Sequence, residues 1–422
     1  MPRSSPRICI DGFNLAMPRG SGIATYARNL LSSLAGLSYE TQILLSSTQP
    51  LGKDNLLNQI AIFDDRPAVR SPGLAIAHRL LRSLGTRAVE VKIDGEVITD
   101  EITSRFPTAQ KVWASHDLFH SANATHSAFR RFTPVKLGAG AAEVMHWTCP
   151  LPLVAPGKAN IYTLHDLVPL RLPYATLDNK RAYYAMCKTI AARADLVFTV
   201  SEHSRRDIIQ LLGMDERRVV NTYQAVELPD RYLPRDSDDL AAALESNFGL
   251  SPDGYFLFFG ALEPKKNLRR VAQAFAAAGL RSPLIVVGEP WANFTTEFLD
   301  RFGDFILRYD YLPAEQLRWL VAGAKATLFP SLYEGFGLPV LESMLLGAPV
   351  LTSTQGSLPE IAGEGALLVD PYDVDAIRAA IVQLDSDPDL RLELSSRGRR
   401  QAAKFSPAVY REKLRDAYAR VM

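Results

Sequence analysis

Two glutamates, Glu334 and Glu342, stand eight positions apart in Thr327-Leu-Phe-Pro-Ser-Leu-Tyr-Glu-Gly-Phe-Gly-Leu-Pro-Val-Leu-Glu-Ser-Met-Leu-Leu346. The residues around them suit an anion. Pro339 fits the first position of a helix, where its missing N–H is no loss, and Gly347 fits the residue just past the end. The amides of Gly335, Phe336, Gly337 and Leu338 would then converge in front of the helix, backed by the positive end of its dipole, as a phosphate requires. At helical spacing Glu342 falls between Leu338, Leu345 and Leu346 and not on a polar face. A carboxylate bracketed by leucines needs donors, and ligand hydroxyls would supply them. A third group is His165, which closes Ala159-Asn-Ile-Tyr-Thr-Leu-His-Asp166 at the carboxyl end of a strand, the edge where open α/β sheets bind ligands. His78, His116, His120, His126, His146 and His203 lack that placement and are expected to be ordinary satisfied polar residues.

These groups need strands that end at a common edge. Arg7–Asp11 reads as a strand, and Pro18-Arg-Gly-Ser-Gly22 opens a helix with apolar residues at Ile23, Tyr26, Ala27, Leu30, Leu31 and Leu34. Strand, glycine loop and helix make a Rossmann-like opening. Further strands are expected at 41–46, 143–147, 159–166, 195–200 and 217–223, with Ser201 capping a helix through Leu212. The segment 52–140 shows no clear periodicity. From Val226 to Asp253, prolines and the run Asp236-Ser-Asp-Asp239 read as a linker with a short helix, and Asp236 and Asp238 as solvated charges, not metal ligands. Beyond it strands and helices alternate from Tyr255 to Asp370, which means a parallel, doubly wound sheet. Its first strand leads into Gly260-Ala-Leu-Glu-Pro-Lys-Lys-Asn267, which brings Lys265 and Lys266 to the same edge as the glutamate loop. Ser357 and Glu360 have capping-box spacing, and three helices follow from Asp373.

The chain has 422 residues, 47% of them hydrophobic, enough for two domains or a little more. A net charge of +1 gives no reason to expect a nucleic-acid partner. Cys9, Cys149 and Cys187 are far apart, which suggests neither disulfides nor zinc and fits a reducing cytosol. The basic N-terminus is followed by an apolar run cut short at Asp11, unlike a signal peptide, and no stretch approaches the ~18 apolar residues of a membrane helix. Between Arg66 and Val89 five arginines accompany one apolar face, without an acidic residue. Such a segment either packs on a core with its basic face solvated or lies on an anionic bilayer.

Pro330-Ser-x-Tyr-Glu-Gly-Phe-Gly-Leu-Pro-x-x-Glu342 resembles the glutamate-pair signature of the retaining GT-B glycosyltransferases of family 4. The resemblance implies α/β architecture with two Rossmann-like doubly wound domains facing across a cleft. The first would cover residues 1–228, joined by a C-terminal crossing helix at 407–422, and the second 250–405. It implies transfer of a sugar from a nucleotide diphosphate donor to a glycan hydroxyl, with Glu334 and His165 as catalytic residues at the donor sugar. Glu342 would take the ribose, and Lys266, Lys265 and the amides of Gly335, Phe336, Gly337 and Leu338 the diphosphate. Gly20, Ser21 and Gly22 would face the diphosphate and acceptor. Lysine and helix dipole would meet the leaving-group charge, so neither metal nor cofactor is expected. Gly20-Ser-Gly-Ile-Ala-Thr-Tyr-Ala-Arg28 and Glu263-Pro-Lys-Lys-Asn267 are similar to bacterial mannosyl- and rhamnosyl-type transferases of surface polysaccharide and lipopolysaccharide assembly. That points to a GDP-linked donor such as GDP-mannose, carrying mannose or a related hexose or deoxyhexose, and to a lipid-linked acceptor, with residues 66–89 touching the inner face of the membrane. The chain departs from the family at Ala261, where many relatives carry an arginine for the diphosphate, and at Tyr309-Asp-Tyr-Leu-Pro313, where a glycine turn precedes the base-binding helix. Other uses of such a site are nucleotide-sugar epimerisation, phosphorolysis, and binding without catalysis.

Overall fold

The computed structural model describes residues 5–15, 22–64, 84–95, 97, 109–227, 236–291 and 294–422. Gly20, Ser21 and the arginines of 66–82 lie outside them, so the reading of the glycine loop and of the basic segment is carried by Gly22 and by residues 84–89 alone.

Two sheets dominate. The first has eight strands, in the order Val219–Asn221, Leu196–Thr199, Ala159–Thr163, Val144–Trp147, Arg7–Asp11, Glu40–Ser47, Lys111–His116 and Val89–Val91. All neighbours are parallel except the last pair. The second has six parallel strands, in the order Ile306–Tyr309, Leu284–Val287, Phe256–Phe259, Ala326–Phe329, Val350–Ser353 and Leu367–Val369. By chain position that is the 3-2-1-4-5-6 order of a dinucleotide-type sheet, whose direction of winding reverses between Phe256–Phe259 and Ala326–Phe329. These two strands lead into the Lys265-Lys266 and Glu334 loops, so both loops sit where the crevice of such a sheet opens.

Alternate residues of one strand face different helices. Phe256 and Phe258 pack with helix Leu268–Ala278, whereas Tyr255, Leu257 and Phe259 pack with helix Ala314–Gly323. Segment 52–140, which had no legible periodicity, contributes scaffold: Lys111–His116 pairs along the whole of Gln42–Ser47, and Leu118–Phe129 is a helix. Asp236 caps helix Ser237–Phe248, its side chain accepting from the amides of Asp238 and Asp239, so this aspartate run is local helix chemistry.

One apolar cluster runs through both halves. It joins Ile8, Tyr26 and Leu30 of the first to Phe329, Phe336 and Val340 of the second, with Tyr410, Leu414 and Tyr418 of the last helix, Pro407–Tyr418. Full burial of a side chain such as Leu414 stabilises by about 2 kcal/mol. The chain passes between the halves twice, and the crossings touch: the Val226 amide donates to the Phe405 carbonyl at 3.2 Å, and the Phe405 ring meets Tyr223 and Phe336 with centroids 5.3 and 5.7 Å away.

Candidate active site

Helix Leu338–Leu346 begins one residue before the expected proline, with Pro339 in its first turn and Gly347 closing it in left-handed geometry. Gly337 precedes it at φ 117°, a conformation that a side chain resists. Among the described residues, none of the amides of Gly335, Phe336, Gly337 and Leu338 donates to a protein acceptor, and the first three residues are buried. Buried donors without acceptors at a helix start call for an anion.

Glu334 is 7% exposed. Its Oε1 accepts from Lys266 Nζ at 2.7 Å, and Oε2 lies 3.8 Å from Lys265 Nζ. Burial pushes the Glu334 carboxyl up, but Lys266 and then Lys265 outweigh it and hold it below its ordinary range. For Lys265 burial opposes the charge, and Glu334 and then Glu263 overcome it, so the ammonium is raised. The cluster therefore carries two cations and a carboxylate, all charged. Asn267 holds this loop: in left-handed conformation and buried, its side-chain amide donates to the Pro330 carbonyl at 3.0 Å and the Pro371 carbonyl at 2.7 Å. The Ser357 hydroxyl lies 3.0 and 2.7 Å from the carbonyl oxygens of Glu334 and Phe336.

Ser357 is thus spent on the glutamate loop and caps no helix, which overturns the capping-box expectation. Glu360 instead reaches the other half, accepting from the amides of Glu202 and His203 at 2.8 and 3.1 Å at the start of helix Glu202–Leu212. A second contact across the cleft runs from the Tyr333 hydroxyl to Asp207, which also pairs with Arg171. Gly335 lies against the first half so closely that a Cβ would come within 2.7 Å of Asp166 Cβ and 2.8 Å of the His165 carbonyl oxygen.

Glu342 has burial raising its carboxyl, partly opposed by Arg318 on helix Ala314–Gly323. Arg318 was missed in the sequence; one turn before the buried Val321, it is a charge on the apolar side of its helix. At Ala261 no arginine is replaced in place; the described basic groups nearest the glutamate loop are Lys265 and Lys266.

His165 donates from Nε2 to the Thr148 carbonyl at 2.9 Å, which leaves Nδ1 as acceptor, and burial holds the imidazole neutral below its ordinary pKa. Tyr26 packs its ring edge-on at 4.7 Å. Its hydroxyl meets Thr163, which meets His146, which meets Tyr418 of the last helix. Gly22 begins its helix 3.4 Å, measured from an added Cβ, from the Leu338 side chain, so two helix starts meet at the cleft. Asp11, also unforeseen, is fully buried at the end of its strand, accepting from the amides of Phe13 and Thr148; burial raises its carboxyl to about 6. Among the described residues no group of three or more His, Cys, Asp or Glu side chains could hold a metal ion.

The arrangement can hold an anion on the amides and lysines, with the neutral His165 imidazole offered from the other half. Residues 245–401 match the family model for glycosyl transferases group 1, and residues 21–223 that for a glycosyl transferase 4-like domain. The chain is 37% identical over 255 residues to O-antigen chain mannosyltransferase B of Escherichia coli, covering 58% of this chain and 66% of the relative. It is 29% identical over 254 residues to the serotype-specific mannosyltransferase WbdA of Escherichia coli, covering 57% of this chain and 31% of the relative. The matched part thus spans from about a third to about two thirds of these relatives. Among solved structures, the chain resembles Anabaena HepE in complex with UDP and glucose, at TM-score 0.66 and 14% identity over 98% of this chain and 99% of that one. It also resembles sucrose-phosphate synthase from Thermosynechococcus elongatus, at TM-score 0.65 and 17% identity over 98% of each. These last two likenesses are of fold.

Proposed function

Because the chain belongs to the GT-B glycosyltransferases, we propose that it transfers mannose from GDP-mannose to a hydroxyl of a glycan, with retention of anomeric configuration and without a metal. One observation carries the reading: the buried Glu334, ion-paired with the half-buried Lys266 and Lys265, lies beside free helix-start amides at the crevice of the second sheet, and its neighbour Gly335 packs on the His165-Asp166 strand end of the first. The E. coli mannosyltransferases support the sugar.

In this reading the amides of Gly335 to Leu338 and Lys266, aided by Lys265, bind the diphosphate and stabilise the charge on its oxygen as that oxygen takes the electron pair of the breaking C1–O bond; the acceptor hydroxyl oxygen forms the new bond to C1 and its proton passes to the departing diphosphate. Glu342 accepts from the ribose hydroxyls. Glu334 faces the cationic sugar carbon that develops, and the neutral His165 accepts from a sugar hydroxyl through Nδ1. The acceptor enters from the Gly22 side, and a lipid-linked glycan at the inner face of the membrane is the proposed partner. Among the described residues no helix is long and apolar enough to cross a membrane.

A thermal-shift screen against GDP-mannose, UDP-glucose and dTDP-rhamnose tests the donor. GDP-mannose is expected to stabilise most; no stabilisation by any of them overturns the reading. Release of free GDP only when acceptor glycan is present separates transfer from epimerisation and from binding alone. Unchanged turnover in EDTA checks metal independence, and the anomeric proton coupling of the product checks retention.

A further inference from the structure

A second cavity, of about 190 Å³, opens beside this cleft and is walled by both halves of the chain. The first half brings Tyr174 and Thr176, and the second brings Arg269, Trp291, Phe294 and Thr295. Two large aromatic side chains stay open to solvent there, Tyr174 at 67% and Trp291 at 44% exposure. Tyr174 also neighbours Tyr372 of the second half, whose phenol it pushes up. The Arg269 guanidinium is stacked over Phe298 at 4.4 Å and pairs with no carboxylate among the described residues, so its N–H groups are free to donate. The cavity shares walls with the site above. Pro264 lines it and directly precedes Lys265; Ala175 lines it and packs with Leu332 and Tyr333, which precede Glu334.

We propose that this cavity is a sugar subsite that holds an acceptor residue next to the one receiving the transferred sugar. The inference rests on the reading of the chain as a glycan-directed transferase and adds where the glycan runs. A pyranoside has C–H groups on its faces and hydroxyls around its edge. The cavity has the complementary make-up: aromatic faces whose quadrupole attracts polarised C–H, with the Arg269 guanidinium and the exposed Thr295 at the edge. An alkyl chain would leave those polar groups unused. A nucleobase is disfavoured by position: Arg269 is on helix Leu268–Ala278, on the opposite face of the sheet from the helix whose Arg318 acts on Glu342, the residue assigned to the donor ribose. Because neither half forms the cavity alone, a glycan seated there is gripped only while the halves are together.

The test is a fluorescence titration of the full chain with manno-oligosaccharides from the monosaccharide upward, on wild type, Trp291→Ala and Trp291→Phe, each first checked for thermal stabilisation by GDP-mannose. Trp113 and Trp147 are buried, which leaves Trp291 as the exposed reporter beside the half-buried Trp319. Wild type is expected to bind a longer oligosaccharide about fivefold more tightly than mannose, with Trp291→Ala losing that increment and Trp291→Phe keeping most of it. Equal affinities in wild type and Trp291→Ala, followed by calorimetry so that loss of the reporter does not mislead, overturn the subsite. Displacement of the oligosaccharide by GDP alone also overturns it, by assigning the cavity to the donor. The donor shift reports separately: if it is absent the proposed transfer fails, while sugar binding at Trp291 still decides the subsite.

Discussion

The two halves meet the cleft with opposite electrostatics. On the second, the buried Glu334 is held charged by Lys266 and then Lys265, and the half-buried Lys265 by Glu334 and then Glu263. On the first, the buried groups are kept or drawn toward neutrality: His165 and His146 lose basicity, His146 to about 3, and Asp11 is raised to about 6. One half can meet an anion without reorganising, while at its strand end the other offers the neutral His165 imidazole as a hydrogen-bonding group. Charge and shape recognition are divided between two sheets, and only their contact makes a site.

The largest effect tests the charged half. Lys266→Ala should lower kcat by roughly a hundredfold or more. It should also cost about 3 kcal/mol of stability, because buried Glu334 keeps only Lys265, 3.8 Å away. Urea unfolding with saturating-donor kinetics measures both, and a loss smaller than that of His165→Ala would reverse the assignment of roles. Next, Glu342→Ala should weaken donor binding about tenfold while sparing kcat at saturation, as lost hydrogen bonds to a charged group predict. Calorimetry with the donor checks this. Third, His165→Ala should lower kcat about tenfold. The wild-type rate should stay flat from pH 7 to 8, since burial holds the imidazole below its ordinary pKa; a rate that rises through an ordinary histidine pKa would make it an acid or base.

The smallest effect is on stability alone. His146 is neutral in the fold down to about pH 3, so the unfolded chain binds more protons below about pH 6.5 and stability falls as pH falls. Asp11 acts the other way: its folded pKa of about 6 exceeds the ordinary value, so its contribution is full at low pH and is lost as pH rises through 6. Asp11→Asn should therefore steepen the loss of stability between pH 6 and 4 by about 1 kcal/mol per pH unit, read from Tm against pH.

Much of the charged half was legible because its residues obey local rules. Pro339 and Gly347 bracket a helix, the alternation after Tyr255 announces a parallel sheet, and the lysines follow its first strand. Strand Ile306–Tyr309 escaped because it is an edge: Leu307 and Arg308 are exposed, and its apolar run is only Phe305-Ile-Leu307. Ser357 and Glu360 misled because capping-box spacing is a local signal, and here both side chains serve partners more than twenty positions away. Segment 52–140 was opaque for a related reason. Strands as short as Thr86–Arg87 and Val89–Val91 take their form from pairing partners, not from their own periodicity. Asp11 and Arg318 show that a buried charge gives little sign of itself until its surroundings are known.

The tie between Val226 and Phe405 sets how the halves can move. Two crossings joined at one place form a pivot, and displacement grows with distance from it. Phe336, two residues from Glu334, rests on Phe405 itself, so the glutamate loop sits on a short lever arm. A hinge motion about that pivot would shift the glutamate loop least and the outer rim most, so whatever rests at the loop would stay nearly still while the lip exchanges its contents.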